Sequence, residues 1–576
     1  MTTIKKKNNR INILLFGYIN MNVMDGSAVF ISSFATMLSK NPNINVDLVL
    51  ANPIRRDLLL QPLYELDNVN IICPYDDSDL SESEYSWKNK NRMSYLEASE
   101  VINYYWAKKD YDWFIIRGIE VAIKLIDVNP NIISKSMVYM TGITDSTQEV
   151  TSSKLTEFQR LRELDAYILC QTEEMKEFLL TKMDKELFED KIIPLNPMVP
   201  DTVDEFEDIF NKKSKYYKLC YTGKFDKGWN SIPMVVGFKE LKEDIPEATL
   251  EVAGDKFNVD KNNPNYVKDL KYLLKSTKNL TWYGAVSRDE ARQLIMASDI
   301  GITWRDTSMD TSLELSTKLL EYGTLGKAVV LNPTPMHKKI FGEEYPLYAE
   351  TLDDYIHVVK QAMEDPSVYE KAARIMFEGS KKFTFSEILN NLLPYLIKDK
   401  VKEVLKEKGL EISDTDTENI ITTIQLDQIY KYDLDNGKHL YISNTKEHKN
   451  IFKVLEGISE QGEIFDIEQI GGILFLFVND NDKSFYENYY KNFNIDVINN
   501  IAIRVNDQNA TSKNNYFKPT SLKTQLSIAD NVQSEQSRSD SSQLNKKYMT
   551  LQSKYNALAK SKLGRIQLKY WKIKNK

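Results

Sequence analysis

Between Lys218 and Asn230 the chain reads KLCYTGKFDKGWN, an apolar run that stops at a glycine and is followed at once by two lysines. Gly223 lets the backbone turn sharply toward a ligand. Lys224 and Lys227, with Gly228 beside them, bring the positive charge that a diphosphate needs. A second cluster lies about ninety residues on, in DTSLELSTKLLEYGTLGKAVVLN from Asp310 to Asn332. Ser316 or Thr317 suits a helix N-cap, Lys318 to Tyr322 begins a helix, and Gly323 and Gly326 allow close approach and termination. A helix that opens toward a ligand offers unpaired amides and a partial positive charge, which hold phosphate oxygens without a metal. Glu321 stands one turn further in, where a carboxylate can accept the two hydroxyls of a ribose. The bland alternative is a solvated lysine loop followed by an ordinary surface helix.

The elements that would position these residues are legible as alternating strands and helices. INILLFGYI, VDLVLANP, VNIICP, DWFIIRG, SMVYMTG and AYILCQT are strand-like, while FISSFATMLSK and EMKEFLLTKM have helical spacing. Such alternation predicts a parallel sheet with crossover helices. IIPLNPMVPDT, at 192–202, carries three prolines and reads as a connection to a second βα series. The strands of that series are KLCYTGKF, ATLEVAGD, NLTWYGAV, DIGITW and KAVVLNP, and its helices include SRDEARQLIMAS and STKLLEYGTLG. A helical stretch from Ser367 to KEVLKEKG is expected to close the second domain. Two doubly wound domains in tandem leave a cleft at the carboxyl ends of their strands, where ligands bind in such sheets.

The expected organisation is an α/β chain with Rossmann-like domains at 10–200 and 201–400. A small α+β module at 401–506 follows, in the ferredoxin-like order β-α-β-β-α-β, with helices through 446–459 and 483–493. Residues 507–545 are polar and read as a flexible linker. Residues 546–576 carry Tyr548, Leu551, Tyr555 and Leu558 at spacings of three and four among lysines, a basic amphipathic helix. That helix suits an anionic membrane face, with Tyr570 and Trp571 at the interface, or a partner protein in a short coiled coil.

Bulk properties exclude several classes. A net charge of -8 over 576 residues argues against nucleic-acid binding, which needs a basic face. Cys73, Cys170 and Cys220 lie far apart without metal-ligand spacing, as expected of buried thiols in a reducing, cytoplasmic compartment. The first apolar run is too short to span a bilayer, and no run of about 18 apolar residues occurs anywhere. The wealth of Asn, Lys and Ile fits an AT-rich bacterial genome.

The ordered series from Gly223-Lys224 through VAGD, NLTWYGAV and ASDIGITW to STKLLEYGTLGKAVV resembles the donor-binding half of the retaining GT-B glycosyltransferases, called family 4 or group 1. The resemblance covers roughly residues 10–400 and is firmest at 218–332. It implies that Lys224 and Lys227 grip the diphosphate of a nucleotide-sugar donor, expected to be uridine-linked, and that Glu321 binds the ribose. Gly284, Ala285 and Val286 would border the base, and Ser316, Thr317 and Lys318 would face the phosphates. Gly26 and Ser27, in DGSAVFISSFATML, would approach the diphosphate from the acceptor side.

The resemblance further implies transfer of a hexosyl or N-acetylhexosaminyl group with retention, without metal or other cofactor. The acceptor is expected to be a cell-surface glycan, a teichoic acid or a glycoprotein, presented at the inner membrane face. Two departures stand out. Family members carry two glutamates eight residues apart, yet counting back from Glu321 gives Leu313, with Glu314 next to it. Where many members have a histidine, VYMTGITD has Thr141 and Gly142. These departures motivate a second reading, a catalytically silent GT-B partner of another transferase. A nucleotide-sugar epimerase, which shares the two-domain plan, ranks third.

Overall fold

The computed structural model describes residues 7–23, 25–80 and 86–407. Beyond them it describes the strands Ile429–Leu434, Lys438–Ser443, Asp466–Ile470, Ile473–Asn479 and Ala502–Ile503. The expected helices at 446–459 and 483–493, the linker and the basic helix at 546–576 lie outside the described residues.

The first domain is built on seven parallel strands. Their order in the sheet is Val69–Ile72, Ile44–Leu50, Ile11–Gly17, Trp113–Arg117, Ser136–Tyr139, Tyr167–Cys170 and Ile192–Pro194. The central strands are buried on both faces, which is why they read as unbroken apolar runs. Ile192–Pro194, expected to belong to a connection, is the last strand of this sheet. Its proline is tolerated because an edge position leaves one side of the backbone unpaired.

The second domain repeats the plan with five parallel strands. They run Leu280–Trp282, Thr249–Ala253, Lys218–Thr222, Ile300–Ile302, Ala328–Val330. Both sheets therefore reverse direction beside their first strand, and each reversal opens a crevice at the carboxyl ends of two neighbouring strands. This tandem of Rossmann-like domains is the GT-B fold. In the first domain the crevice lies after Gly17 and Arg117; in the second it lies after Thr222 and Ile302.

The two domains are joined at several points. Val199 pairs with Thr384, and helix Phe385–Glu407 runs back to the first domain rather than ending on the second alone. There Trp113 Nε1 donates to the Leu396 carbonyl at 2.7 Å, and Tyr395 packs edge-on to Tyr167.

Helix Thr317–Thr324 is set by small residues. Tyr322 lies under the second sheet, where its hydroxyl accepts from the Thr222 amide at 3.1 Å and donates to the Cys220 carbonyl at 3.2 Å. It fits because Gly301 has no side chain; a Cβ there would fall 2.6 Å from the ring. On the other side Gly323 lets helix Pro366–Lys381 come close, since a Cβ would collide with Ser380 Oγ and the Met376 carbonyl.

In the C-terminal module the strands lie in the order Asp466–Ile470, Ile473–Asn479, Lys438–Ser443, Ile429–Leu434, Ala502–Ile503. The expected four-stranded plan thus gains a strand, Ile429–Leu434, antiparallel to Lys438–Ser443 and parallel to Ala502–Ile503. Asn436-Gly437 between the first pair is the short-range hairpin signal that marks it in the sequence.

Gly323→Ala is expected to lower stability by about 1–3 kcal/mol through overpacking, read as a lower urea midpoint with an unchanged slope. An unaltered midpoint would show that the two helices can separate freely.

Candidate active site

The second domain's crevice gathers positive charge around one indole. Directly after strand Lys218–Thr222, Gly223 adopts φ +140°, a conformation that side chains disfavour. A Cβ on it would lie 2.5 Å from Lys318 Nζ and 3.1 Å from Lys318 Cε, so the glycine makes room for that side chain. Lys318 Nζ stands 4.6 Å from the centre of the Trp229 ring and 4.8 Å from that of Tyr221. Lys224 Nζ lies 5.5 Å and Arg305 Cζ 5.4 Å from the same Trp229 ring. The aromatic faces ease the crowding of three cations, because each ring presents its negative quadrupole.

Among the described residues no hydrogen-bond partner meets the buried Lys318 ammonium. Burial first, then repulsion from Lys224 and Arg305, brings its pKa down to about 7 against the weaker pull of Glu321. Arg305 is only 4% exposed, and its backbone is pinned by Asn332: the Arg305 amide donates to Asn332 Oδ1 at 2.7 Å, and Asn332 Nδ2 donates to the Arg305 carbonyl at 2.8 Å. Helix Thr317–Thr324 opens beside these cations, and its N-cap, Ser316, makes no side-chain capping bond. Its first amides therefore add to the positive field.

The departure at Leu313 has a structural reason. Residues 311–315 lie along the first domain: Asp145 bridges Ser312, the Leu313 amide donates to the Thr144 carbonyl at 2.9 Å, and Thr172 Oγ1 donates to the Leu313 carbonyl at 2.8 Å. The Leu313 side chain enters the first domain's core. Neighbours on an extended segment face opposite ways, so Glu314 turns into the crevice. Its carboxyl is surrounded by atoms while its surface stays open to solvent, as in a cleft. Burial raises its pKa, and Lys224, Arg117 and Arg305 oppose that rise.

Glu321 lies deeper along the helix with its side chain 26% exposed. Arg288 reaches it at 3.4 Å and also donates to Ser33 Oγ of the first domain at 3.1 Å. The remaining expected residues are dispersed. Lys227 is exposed, and its charge acts on Asp306 rather than among those that shift Glu314 and Lys318. Gly284, at φ +71°, is open to solvent on its Cβ side and accepts the Gly254 amide at 2.7 Å; Val286 is half-buried just beyond it. Gly26 faces open space, but the Ser27 and Ala28 amides already donate to Asp25, each at 3.0 Å. Among the described residues no group of three or more His, Cys, Asp or Glu stands where a metal could be held, and no helix is long and apolar enough to cross a membrane.

Three contributors are not marked by sequence alone. Gly254, inside VAGD, has φ +141°, and a Cβ there would collide with the Gly223 carbonyl. Trp229 stands inside KLCYTGKFDKGWN, whose lysines and glycines draw the attention, and Arg305 is the residue directly after DIGITW. Arg117, the last residue of strand Trp113–Arg117 in the first domain, lies apart from the cluster on Trp229 and acts on Glu314.

Residues 202–381 match the family described as “Glycosyl transferases group 1”. The match falls on the second domain, the half where the resemblance in sequence is firmest. None of the curated proteins matches the chain. Similar solved structures include a glycosyltransferase from Rickettsia africae ESF-5, at 15% identity and TM-score 0.47, covering 69% of this chain and 99% of that one. Sucrose-phosphate synthase from Thermosynechococcus elongatus is 11% identical at TM-score 0.47, over 69% of this chain and all of that one (100%). Anabaena HepE in complex with UDP and glucose is 13% identical at TM-score 0.47, over 67% of this chain and 99% of that one.

The depressed pKa of Lys318 fixes a pH dependence. Below pH 7 both folded and unfolded chains carry its proton, and the burial penalty is borne in full. Between about 7 and the ordinary 10.5 the unfolded chain binds a proton that the folded chain lacks, so this residue makes stability rise with pH. Lys318→Met is therefore expected to raise the Tm more at pH 6 than at pH 10, measured without ligand. An equal shift at both values would show that the ammonium is not desolvated.

Proposed function

We propose that the chain is a retaining glycosyltransferase of family 4 that moves a hexosyl or N-acetylhexosaminyl group from a uridine diphosphate sugar. The observation that carries this reading is the cluster of Lys224, Arg305 and Lys318 on Trp229, where Lys318 is buried without a partner. A buried cation left unpaired is unfavourable, and a diphosphate in the crevice would relieve it. Three cations and a helix opening match the charge of two linked phosphates, and the family match at 202–381 supports the transferase reading.

On this reading Glu321 accepts the ribose hydroxyls, exchanging part of its ion pair with Arg288, and the open faces of Gly284 and Val286 border the base. Lys224, Arg305, Lys318 and the amides from Thr317 stabilise charge as the bond between the sugar's anomeric carbon and the diphosphate oxygen breaks. The acceptor hydroxyl bonds to that carbon on the same face, and its proton passes to the departing diphosphate. Glu314, held among cations from both domains, stands on the sugar side and orients hydroxyls there. Its presence in the crevice favours an active enzyme over a silent scaffold.

The acceptor is proposed to be a bacterial cell-surface glycan, a teichoic acid or a glycoprotein. The basic sequence at 546–576 supports its presentation at the cytoplasmic face of an anionic membrane, or a partner protein there.

Calorimetric titration with UDP tests the site. Glu321→Ala and Lys224→Ala are each expected to weaken binding by about tenfold or more, as loss of charge-assisted hydrogen bonds implies, without lowering the Tm. Lys227→Ala is expected to act less, given its exposed position beside Asp306. Unchanged affinity in the first two variants would remove the assignment.

A further inference from the structure

The first domain's crevice holds a cation that the donor site does not use. Arg117 ends strand Trp113–Arg117, beside the first strand of its sheet, at the point where ligands approach such folds. Its backbone is fixed there: the Arg117 carbonyl accepts from the Tyr18 amide at 2.9 Å, and Gly118 follows at φ +154°. The guanidinium lies beside a pair of rings, 5.7 Å from the centre of Phe30 and 5.8 Å from that of Tyr139, which themselves pack at 4.5 Å.

Among the described residues the buried Arg117 Nε has no hydrogen-bond partner, and no carboxylate comes within ion-pair distance of the group. Two acids influence it from further off, Asp25 and Glu314. Asp25 is engaged with the amides of Ser27 and Ala28 at the start of helix Gly26–Ser39. Glu314 belongs to the other domain and is shared with Lys224 and Arg305. Glu314 feels Arg117 from the first domain and Lys224 and Arg305 from the second, while Lys318 feels Lys224, Arg305 and Glu321.

An arginine held by two aromatic faces, partly desolvated and without a carboxylate, is a fork awaiting an oxyanion. Arg117 ends a first-domain strand, whereas the cations gathered on Trp229 belong to the second domain, so the oxyanion it would take is one other than the donor's diphosphate. We propose that Arg117 is an anion-binding residue for the acceptor, taking a phosphate or carboxylate group carried next to the hydroxyl that is glycosylated. This rests on the reading of the cleft as a transferase site, and it narrows the acceptor to an anionic one.

The probe is glycerol 3-phosphate at millimolar concentration, followed by phosphorus NMR line width with the donor site saturated by UDP, and repeated without UDP. The wild-type protein is expected to broaden the glycerol phosphate line. Arg117→Gln is expected to weaken that effect about tenfold or more, while UDP affinity by calorimetry stays within about threefold. Arg117→Lys, which keeps the charge but not the fork, should retain part of the broadening, and it serves if the glutamine variant fails to fold.

Equal broadening in wild type and Arg117→Gln, or none in wild type, would overturn the proposal. A tenfold loss of UDP affinity in Arg117→Gln would also overturn it, by assigning the arginine to the donor. Absence of UDP binding to the wild-type protein would instead defeat the transferase reading, and the titration without UDP would still report on Arg117.

Discussion

Mutual repulsion among Lys224, Arg305 and Lys318 is the constraint around which the second domain is arranged. Three cations within 6 Å of one indole, one of them buried without a hydrogen bond, persist only where the surrounding fold leaves no alternative. That fold is a chain of small-residue contacts. Gly301 admits Tyr322, Tyr322 holds helix Thr317–Thr324 against the strand end at Thr222, Gly223 vacates the space that Lys318 fills, and Gly254 lets the next strand end abut Gly223. Stability is given up locally, and on the proposed function a charged ligand would meet donors already in place.

The same crevice ties the domains together. Leu313 packs into the first domain's core while Glu314, one residue on, faces the cations of both. Arg288 touches Ser33 on one side and Glu321 on the other. A ligand that displaces Arg288 from Glu321 would therefore be felt at a contact between the domains, which is how binding and closure become linked in two-domain enzymes.

Much of this was legible in the sequence wherever chemistry and position lie close along the chain. The alternating strands gave both Rossmann-like sheets, because buried parallel strands must be apolar and the turns between them need glycine. Lys318 and Glu321 sit one turn apart on a helix whose start is marked by Ser316, so their common site could be read directly. Arg117 and Arg305 could not be read so, since one merely ends a strand and the other follows one, and only the order of strands in the two sheets brings them to Glu314. Lys227 has a spacing after Gly223 that suggests a phosphate ligand, and the turn at Asp226, which accepts from the Gly228 amide, sets its charge near Asp306. Ile192–Pro194 was hidden because its proline signals a break everywhere except at a sheet edge.

The central claim, that an unpaired lysine awaits a diphosphate, is tested most directly by counting protons during binding. UDP is titrated calorimetrically at pH 8 in two buffers of different ionisation heat, a pH at which Lys318, with its pKa near 7, is mostly uncharged in the free protein. The account predicts binding accompanied by uptake of most of a proton per nucleotide, abolished in Lys318→Met. Tight binding with no proton exchanged, or uptake that survives that substitution, would contradict it.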